Sequence, residues 1–320
     1  MTDKSLQSAA LQNRTIAGFD DIMVLLKPRV MSLAVFTSAV AMVIAPGPLH
    51  PVIALASILY IAIGAGAAGA LNMWWDCDID YQMRRTRSRP VPGKRLDRQD
   101  AFQIGMWLSG FSVVMLALTA NLLAGLLLAL TIFYYVVVYT IFLKRRTSQN
   151  IVIGGAAGAL PPVIGWAVSA GSMPLEAWLL FLIIFLWTPP HFWALALYSA
   201  DDYRRAGVPV LNITHGDRAT RRQILLYSLS LAPVSAVIAV SSVGGPVFAV
   251  AAIVMNGEFL RRVWLLWRRE QEVAKTDRFL VERKFFRFSL FYLFVLFLAL
   301  AADKVLLMAT GIHFLTSGSI

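Results

Sequence analysis

Residues 72–80 have the composition of a metal site, because they place one amide and three carboxylates at the end of a long apolar run. Asn72, Asp76 and Asp80 are four residues apart, so on a helix they lie along one face. Their oxygens are the ligands that a hard divalent cation prefers. Asp78 points to another face of that helix, where it is either a further ligand or a surface acid.

A run of basic residues follows these acids and suits the anion, a phosphate or diphosphate, that such a cation usually accompanies. The run comprises Arg84, Arg85, Arg87, Arg89, Lys94 and Arg95. Lys144 lies in another basic segment, where it is either a membrane-surface anchor or a further diphosphate ligand. Cation ligands and anion ligands beside an apolar run together indicate chemistry at a membrane surface.

A second polar cluster follows a later apolar run and consists of Tyr198, Asp201, Asp202, Arg204 and Arg205. Tyr198 and Asp202 are four residues apart and can share a helix face. The alternative interpretation is an interfacial tyrosine beside a charged loop. Acids, basic residues and a proline-containing turn occur here in the same order as about 125 residues earlier. This weak internal repeat predicts that both acidic clusters lie on one side of the membrane, where one ion site can use both.

His191 is a third candidate, because it is an ionisable residue inside an apolar run. It follows Pro189 and Pro190, which free backbone carbonyls and are expected to kink the helix and open space beside the histidine. Haem ligation, proton transfer and a hydrogen bond in a polar pocket all fit this position. We favour a direct contact with substrate.

The elements that must position these residues are membrane-spanning helices. The chain has 320 residues, of which 58% are hydrophobic, and its mean hydropathy is +0.67, far above that of a soluble domain. We therefore predict an all-α, polytopic membrane protein. Nine spans are predicted, at about 29–46, 51–72, 102–120, 122–143, 150–170, 175–200, 223–242, 246–266 and 287–309.

The distribution of positive charge supports nine spans with the N-terminus inside. With that topology the inner segments hold 28 of the 29 Lys and Arg residues, as the positive-inside rule requires. Only Lys304 lies elsewhere. The net charge of +11 is then explained by topology and by attraction to anionic lipid headgroups, so it does not indicate a nucleic-acid partner.

The predicted organisation is a cytoplasmic tail over residues 1–28, one membrane domain over 29–309 and a short tail over 310–320. The first segment resembles neither a cleaved signal peptide nor an Arg-rich transit peptide. Cys77 is the single cysteine, which excludes an internal disulfide and a Cys-rich metal site. These features are typical of a bacterial inner-membrane protein with its active site on the cytoplasmic side.

The acidic pattern over residues 72–80, with a second acidic cluster after the sixth span, resembles the intramembrane prenyltransferases of the UbiA superfamily. The resemblance runs from about residue 25 to 310 and narrows to the members that farnesylate haem. Four motifs carry it: Asn-Met-Trp-Trp-Asp at 72–76, Arg-Thr-Arg-Ser-Arg-Pro at 85–90, Trp-Thr-Pro-Pro-His-Phe-Trp at 187–193 and Asp-Asp-Tyr-Arg-Arg-Ala-Gly-Val-Pro at 201–209. Two positions depart from the superfamily pattern, since Cys77 replaces a basic residue and Ala206 replaces an acid.

The resemblance implies a reaction between farnesyl diphosphate and haem B in which a haem vinyl group is farnesylated, water is added and diphosphate leaves, giving haem O. It implies Mg²⁺ held by Asn72, Asp76, Asp80 and Asp202. It implies diphosphate ligands at Arg85, Arg89, Lys144 and Arg205, and catalytic roles for Asp76, Asp80, Asp202, His191 and Tyr198. Hand-off of the product to haem A synthase or a terminal oxidase is implied by the family's setting.

Two other functions remain open at this stage. The first is a related transferase with another acceptor, such as a quinone precursor or a chlorophyll-like ring. The second is a membrane transporter, which should place ionisable residues near the middle of the bilayer. Nearly all charges here lie at one side, with Glu258 the main exception, and this distribution favours surface chemistry.

Overall fold

The computed structural model describes residues 18–310, which form helices and no strand. In chain order the helices are α1 Phe19–Leu26, α2 Pro28–Ile44, α3 Pro51–Trp75, α4 Cys77–Gln82, α5 Arg98–Thr119, α6 Leu122–Phe133, a π-helical segment Tyr134–Leu143, α7 Asn150–Ala159, α8 Pro161–Ala170, α9 Leu175–Tyr198, α10 Ala200–Arg205, α11 Leu211–Thr214, α12 Gly216–Val240, α13 Pro246–Trp267, α14 Gln271–Thr276 and α15 Leu280–Thr310. The all-α prediction is confirmed.

Each of the nine predicted spans coincides with one of these helices or with a consecutive pair, but the count of nine is only approximate. Seven spans are long and apolar enough to cross a membrane, and an eighth is added if α1 and α2, bent by 52°, are one broken span. Helix α13 fills the predicted span 246–266 without meeting that criterion. Its charges explain why, since Glu258 is ion-paired to both Arg261 and Arg262 within the helix.

Local sequence sets where six of these helices begin. Proline occupies the first turn of α2, α3, α8 and α13, where its missing N–H costs no helical hydrogen bond. Asp97 and Asn121 cap α5 and α6, accepting from the backbone N–H groups of Gln99 and Ala124 at 2.8 and 2.9 Å. These prolines and capping residues therefore mark where the preceding loops end and the helices begin.

The core lies between α9 and its neighbours. Neighbouring helices approach closely where a small residue on one faces a large residue on the other. A Cβ added at Gly154 of α7 would lie 2.2 Å from the ring of Tyr139, so only glycine permits this contact. A Cβ at Gly158 would meet nothing within 4 Å, because this glycine lines a cavity. Gly154 therefore permits close packing of α7 on the π-helical segment, whereas Gly158 keeps space open.

Helix α1 lies in the segment predicted to be a tail. Its Leu25 is fully buried, so this part of 1–28 packs on the bundle. The other parts of the two predicted tails lie outside the described residues; they are residues 1–17 and 311–320. The turn between α1 and α2 is Lys27, whose φ of 54° and ψ of 48° are left-handed. Gly66 and Gly69 of α3 face Leu26 and Lys27 and let this turn approach.

Candidate active site

Asp76 and Asp80 lie buried at the junction of α3 and α4. Asp76 is the residue between the two helices, and its carbonyl accepts a 2.8 Å hydrogen bond from the Asp80 backbone N–H. The helical path therefore continues through the junction. Asn72 Nδ2 donates to Asp76 Oδ2 at 2.8 Å, so the predicted shared face is present for this pair. Asp78 lies on the exposed side, paired with Arg145 Nη1 at 2.7 Å, as expected of a surface acid.

Basic side chains from two loops pair with the buried acids. Arg89 Nη1 lies 2.7 Å from Asp80 Oδ2, and the Lys144 ammonium is hydrogen-bonded to Asp76 Oδ2. Burial disfavours the charged lysine, but the adjacent Asp76 carboxylate outweighs it and raises the pKa of Lys144 above its usual value. Two of the four predicted diphosphate ligands therefore lie beside two of the predicted metal ligands.

Lys27 and Thr140, which were not predicted as site residues from the sequence, also contact this group. Lys27 Nζ donates to Asn72 Oδ1 at 2.9 Å, and Asn72 Nδ2 also donates to Thr140 Oγ1 at 3.1 Å. We call Asn72, Asp76 and Asp80, with the cations Lys27, Arg89 and Lys144, the acid cluster. Lys27 directly precedes the proline that begins α2, and that Lys-Pro pair is the one local signal that could have indicated it.

The π-helical segment explains how Thr140 and Lys144 reach the acid cluster. Thr140 Oγ1 donates to Tyr135 O at 2.9 Å, and the Lys144 backbone N–H bonds to Tyr139 O, five residues back, at 2.9 Å. Five-residue hydrogen bonds widen the helix and rotate later side chains relative to an α-helix. The segment thereby turns a hydroxyl and an ammonium toward Asn72 and Asp76.

An apolar cavity of about 190 Å³ begins beside the acid cluster, with Lys27 in its wall. Helices α2, α3, α6, α7 and α8 and the π-helical segment line it. Apolar and small residues dominate, among them Ile61, Ala65, Leu128, Ile132, Gly158 and Ile164. The combination of a charged mouth and an apolar interior is suited to a molecule with an anionic head and a hydrocarbon tail.

The acid cluster has the donor set of a magnesium site. Mg²⁺ is usually bound by one or two carboxylates together with substrate phosphates, and Asp76 and Asp80 supply two. Asp76 Oδ1 is buried and accepts no hydrogen bond within residues 18–310, although Arg145 Nη2 lies 3.6 Å away. An oxygen in that state is suited to a cation. Among residues 18–310, however, no three His, Cys, Asp or Glu side chains converge as a metal-binding group.

Asp202, the fourth predicted metal ligand, makes its contacts elsewhere. Its Oδ1 accepts from the backbone N–H of Arg84 at 3.1 Å and is ion-paired with Arg205. The contact with Arg84 brings the two acid-containing loops together, as the internal repeat predicted. Arg205 therefore lies beside Asp202 and not in the acid cluster. The predicted four-residue metal site stays a prediction.

A second, wider pocket of about 480 Å³ lies where these two loops meet α15. Four guanidinium groups line it, and we call it the arginine pocket: Arg84, Arg85, Arg283 and Arg287, with Tyr198, Ser199, Asp202 and Phe286 completing the wall. Arg85, predicted as a diphosphate ligand, lies here. The guanidinium of Arg283 stands 5.3 Å from the ring centroid of Tyr198, a cation–π contact.

His191 is buried deeper, next to the arginine pocket, in an aromatic sandwich. The Trp187 and Phe286 rings each stack on it with centroids 4.4 Å apart. Its Nδ1 lies 2.7 Å from Ser289 Oγ, and that hydroxyl donates to Phe286 O. Because the Ser289 hydrogen is used there, its oxygen accepts the Nδ1–H of His191, and Nε2 keeps its lone pair. The prolines before His191 remain within continuous helix α9.

The UbiA prenyltransferase family matches residues 34–291. A protoheme IX farnesyltransferase from Ruegeria sp. (strain TM1040) is 54% identical over 306 residues, covering 96% of this chain and 97% of the relative. One from Cereibacter sphaeroides (strain ATCC 17025 / ATH 2.4.3) is 56% identical over 290 residues, covering 91% and 94%.

Solved structures share the fold at low sequence identity. A digeranylgeranylglyceryl phosphate synthase superposes with a TM-score of 0.71 at 15% identity, covering 89% of this chain and 98% of that one. A UbiA homologue from Archaeoglobus fulgidus, bound to DMAPP and Mg²⁺, gives a TM-score of 0.60 at 12% identity, covering 85% and 99%.

Proposed function

The chain belongs to the UbiA prenyltransferase family, and from that premise we propose that it transfers the farnesyl group of farnesyl diphosphate to a vinyl group of haem B. The observation that carries the proposal is the acid cluster at the mouth of an apolar cavity. Buried carboxylates with paired cations suit a metal-bound diphosphate, and the cavity suits a prenyl tail. Relatives more than half identical bear the name of this reaction.

The acid cluster binds and orients the donor. Asn72, Asp76 and Asp80 would hold Mg²⁺, with Asp202 as a further ligand, and the metal would supply electrostatic stabilisation of the departing diphosphate. Lys144 and Arg89 lie beside the carboxylates and can transfer their charge to diphosphate oxygens. Arg85 and Arg205 remain candidate diphosphate ligands from the adjoining loops. Lys27 holds the Asn72 amide in place.

The apolar cavity protects the reacting carbon. When the bond between farnesyl C1 and the diphosphate oxygen breaks, an allylic cation forms that water would quench. Tyr135 and Ile132 line the cavity and exclude water from that carbon. The terminal carbon of the haem vinyl group then attacks C1. Water adds to the new cation beside the ring and loses a proton, giving the hydroxyethylfarnesyl side chain and free diphosphate.

His191 and Tyr198 serve the acceptor. The flat aromatic surroundings of His191 suit a tetrapyrrole ring, and its unprotonated Nε2 can contact substrate. Tyr198 lies at the arginine pocket. Its ring makes an edge contact with Phe286 at a centroid distance of 6.0 Å, and Phe286 in turn stacks on His191.

The chain is a multi-pass membrane protein. The distribution of Lys and Arg supports a bacterial inner-membrane location with the N-terminus and both sites on the cytoplasmic side. Lipid therefore surrounds the bundle. Hand-off of the product to haem A synthase or a terminal oxidase completes the proposal.

An end-point assay tests the proposal. Purified protein in detergent receives haem B, farnesyl diphosphate and Mg²⁺, with EDTA as control, and the products are separated by liquid chromatography and identified by mass spectrometry. We expect a haem heavier by one farnesyl unit plus water, absent with EDTA. Diphosphate release without modified haem would mean another acceptor, such as a quinone precursor. No reaction by folded protein would favour a transporter.

A further inference from the structure

The arginine pocket is a strongly basic surface, and no acid among the described residues forms an ion pair with its four arginines. Within residues 18–310, none of the ion pairs involves Arg84, Arg85, Arg283 or Arg287. The one acid in the wall, Asp202, is already paired with Arg205. Four cations around a pocket of about 480 Å³ therefore favour an anionic ligand with more than one charge.

Helix α15 connects this pocket to His191. Arg283 and Arg287 are four residues apart, so they share the helix face that lines the pocket. Two residues from the adjoining part of the same helix contact His191. Phe286 stacks on its ring, and the Ser289 hydroxyl is hydrogen-bonded to its Nδ1. One rigid helix thus holds both the cations and the environment of the buried histidine.

Resting on the function proposed above, we propose that the arginine pocket binds the two propionate carboxylates of haem B and that Arg283 and Arg287 fix the orientation of the acceptor. Guanidinium groups pair with carboxylates in bidentate geometry. The propionates stand on one edge of a flat apolar ring, and the pocket joins a basic rim to an aromatic wall formed by Tyr198 and Phe286.

The diphosphate is the competing ligand for Arg283 and Arg287, and at these two residues the structure favours the carboxylates. Arg89 and Lys144 already belong to the acid cluster, whose Lys27 lines the apolar cavity, and the diphosphate must lie at this cluster if the farnesyl tail fills that cavity. The arginine pocket is lined instead by charged and polar side chains and by the aromatic rings of Tyr198 and Phe286. With the propionates held here, the vinyl edge of the ring faces away from the arginines.

The test compares haem B with its dimethyl ester, in which the two carboxylates are neutral. The proteins are the wild type, the double variant Arg283→Gln/Arg287→Gln and the control Lys284→Gln, an exposed neighbour on α15 that does not line the pocket. We expect the double variant to raise the Michaelis constant for haem B about tenfold or more, as loss of charge-assisted hydrogen bonds implies. The constant for farnesyl diphosphate should change less than twofold.

The ester supplies the decisive comparison. Wild type and Lys284→Gln should use the ester about tenfold less well than haem B, and the double variant should treat the two acceptors alike. A persistent preference of the double variant for haem B, or a raised constant for farnesyl diphosphate, would overturn the proposal. Absorbance titration of both haems gives binding without turnover. If the wild type makes no farnesylated haem, the proposed function fails and this titration still decides what the arginine pocket binds.

Discussion

The acid cluster and the arginine pocket both lie where loops meet the membrane helices, yet they treat charge in opposite ways. In the acid cluster, Asp76 and Asp80 are buried and each is paired with a cation. In the arginine pocket, four exposed arginines lie beside one acid, Asp202, which is paired with Arg205. Each acid of the first region has a cationic partner within the protein, whereas the arginines of the second rely on water or a ligand.

Burial explains this difference. A buried carboxylate without a partner is costly, so Asp76 and Asp80 need cations before substrate arrives. Under the proposed function, those cations would bind diphosphate oxygens once the carboxylates held Mg²⁺. Solvated arginines do not carry this free-energy cost of burial, so they can remain unpaired until an anion binds. One region is therefore suited to exchanging partners, and the other to gaining one.

Removing the central carboxylate should have the largest effect. We expect Asp76→Asn to lower turnover at least a hundredfold while the protein stays inserted and folded, because a neutral amide binds Mg²⁺ and compensates Lys144 poorly. The measurement is the rate of haem farnesylation. Asp78→Asn is the matched control, since Asp78 is an exposed acid two residues away. Near-normal activity of Asp76→Asn would remove Asp76 from the donor site.

Replacing His191 tests the acceptor side of the comparison. We expect His191→Ala to lower the catalytic efficiency for haem B about a hundredfold and to leave the Michaelis constant for farnesyl diphosphate within twofold, because His191 lies beside the arginine pocket and not at the acid cluster. Steady-state kinetics with each substrate varied in turn give both constants. Unchanged haem kinetics would exclude a contact between His191 and haem.

Filling the cavity tests whether its apolar interior belongs to the donor. Gly158→Leu places a side chain in open space, so the fold should tolerate it. We expect the Michaelis constant for farnesyl diphosphate to rise about tenfold and that for the shorter geranyl diphosphate to change little. Gly110→Leu, at an exposed position of α5 with nothing within 4 Å, is the control. Equal effects on both donors would place the tail elsewhere.

Stability should also separate buried from exposed pairs. Lys144→Ala leaves the buried Asp76 without its ammonium partner and should lower the free energy of unfolding by about 3–5 kcal/mol. Arg205→Ala breaks the more exposed pair with Asp202 and should cost less than about 1 kcal/mol. Thermal unfolding in detergent measures both. Equal losses would mean that burial does not distinguish the two regions.

The smallest effect concerns pH. The hydrogen bond from Arg145 lowers the pKa of Asp78, so the stability it contributes is present above the unfolded pKa of about 3.9 and is lost as pH falls through the lower folded pKa. Between pH 7 and 5 we therefore expect no change from this pair. Below pH 4, wild type should lose up to about 1 kcal/mol more than Asp78→Asn. Thermal unfolding across this range checks it.

The two regions also differ in how far sequence could predict them. Asn72, Asp76 and Asp80 are close in the chain and lie at an apolar boundary, so helical spacing was enough to predict their face. Lys27 and Thr140 join them only through tertiary packing, and Thr140 only because of the π-helical segment. Nothing in that run of apolar and β-branched residues signals such a helix.

The ligand-binding role proposed for Arg283 and Arg287 could not be predicted from sequence, for another reason. Their segment is basic and is fully explained by membrane topology, so sequence gave no ground to assign them a ligand. The span count was approximate because α13 combines an apolar first half with the ion-paired Glu258, Arg261 and Arg262. Packing between distant helices, which residue spacing cannot report, places Arg283 and Arg287 beside Arg84 and Arg85 in the arginine pocket.

One experiment tests the division into a donor region and an acceptor region most directly. Both Michaelis constants are measured in Arg89→Gln, which alters the acid cluster, and in Arg287→Gln, which alters the arginine pocket. We predict that the first variant raises only the constant for farnesyl diphosphate and the second only that for haem B. If both variants raise the same constant, the two regions serve one substrate and the division is wrong.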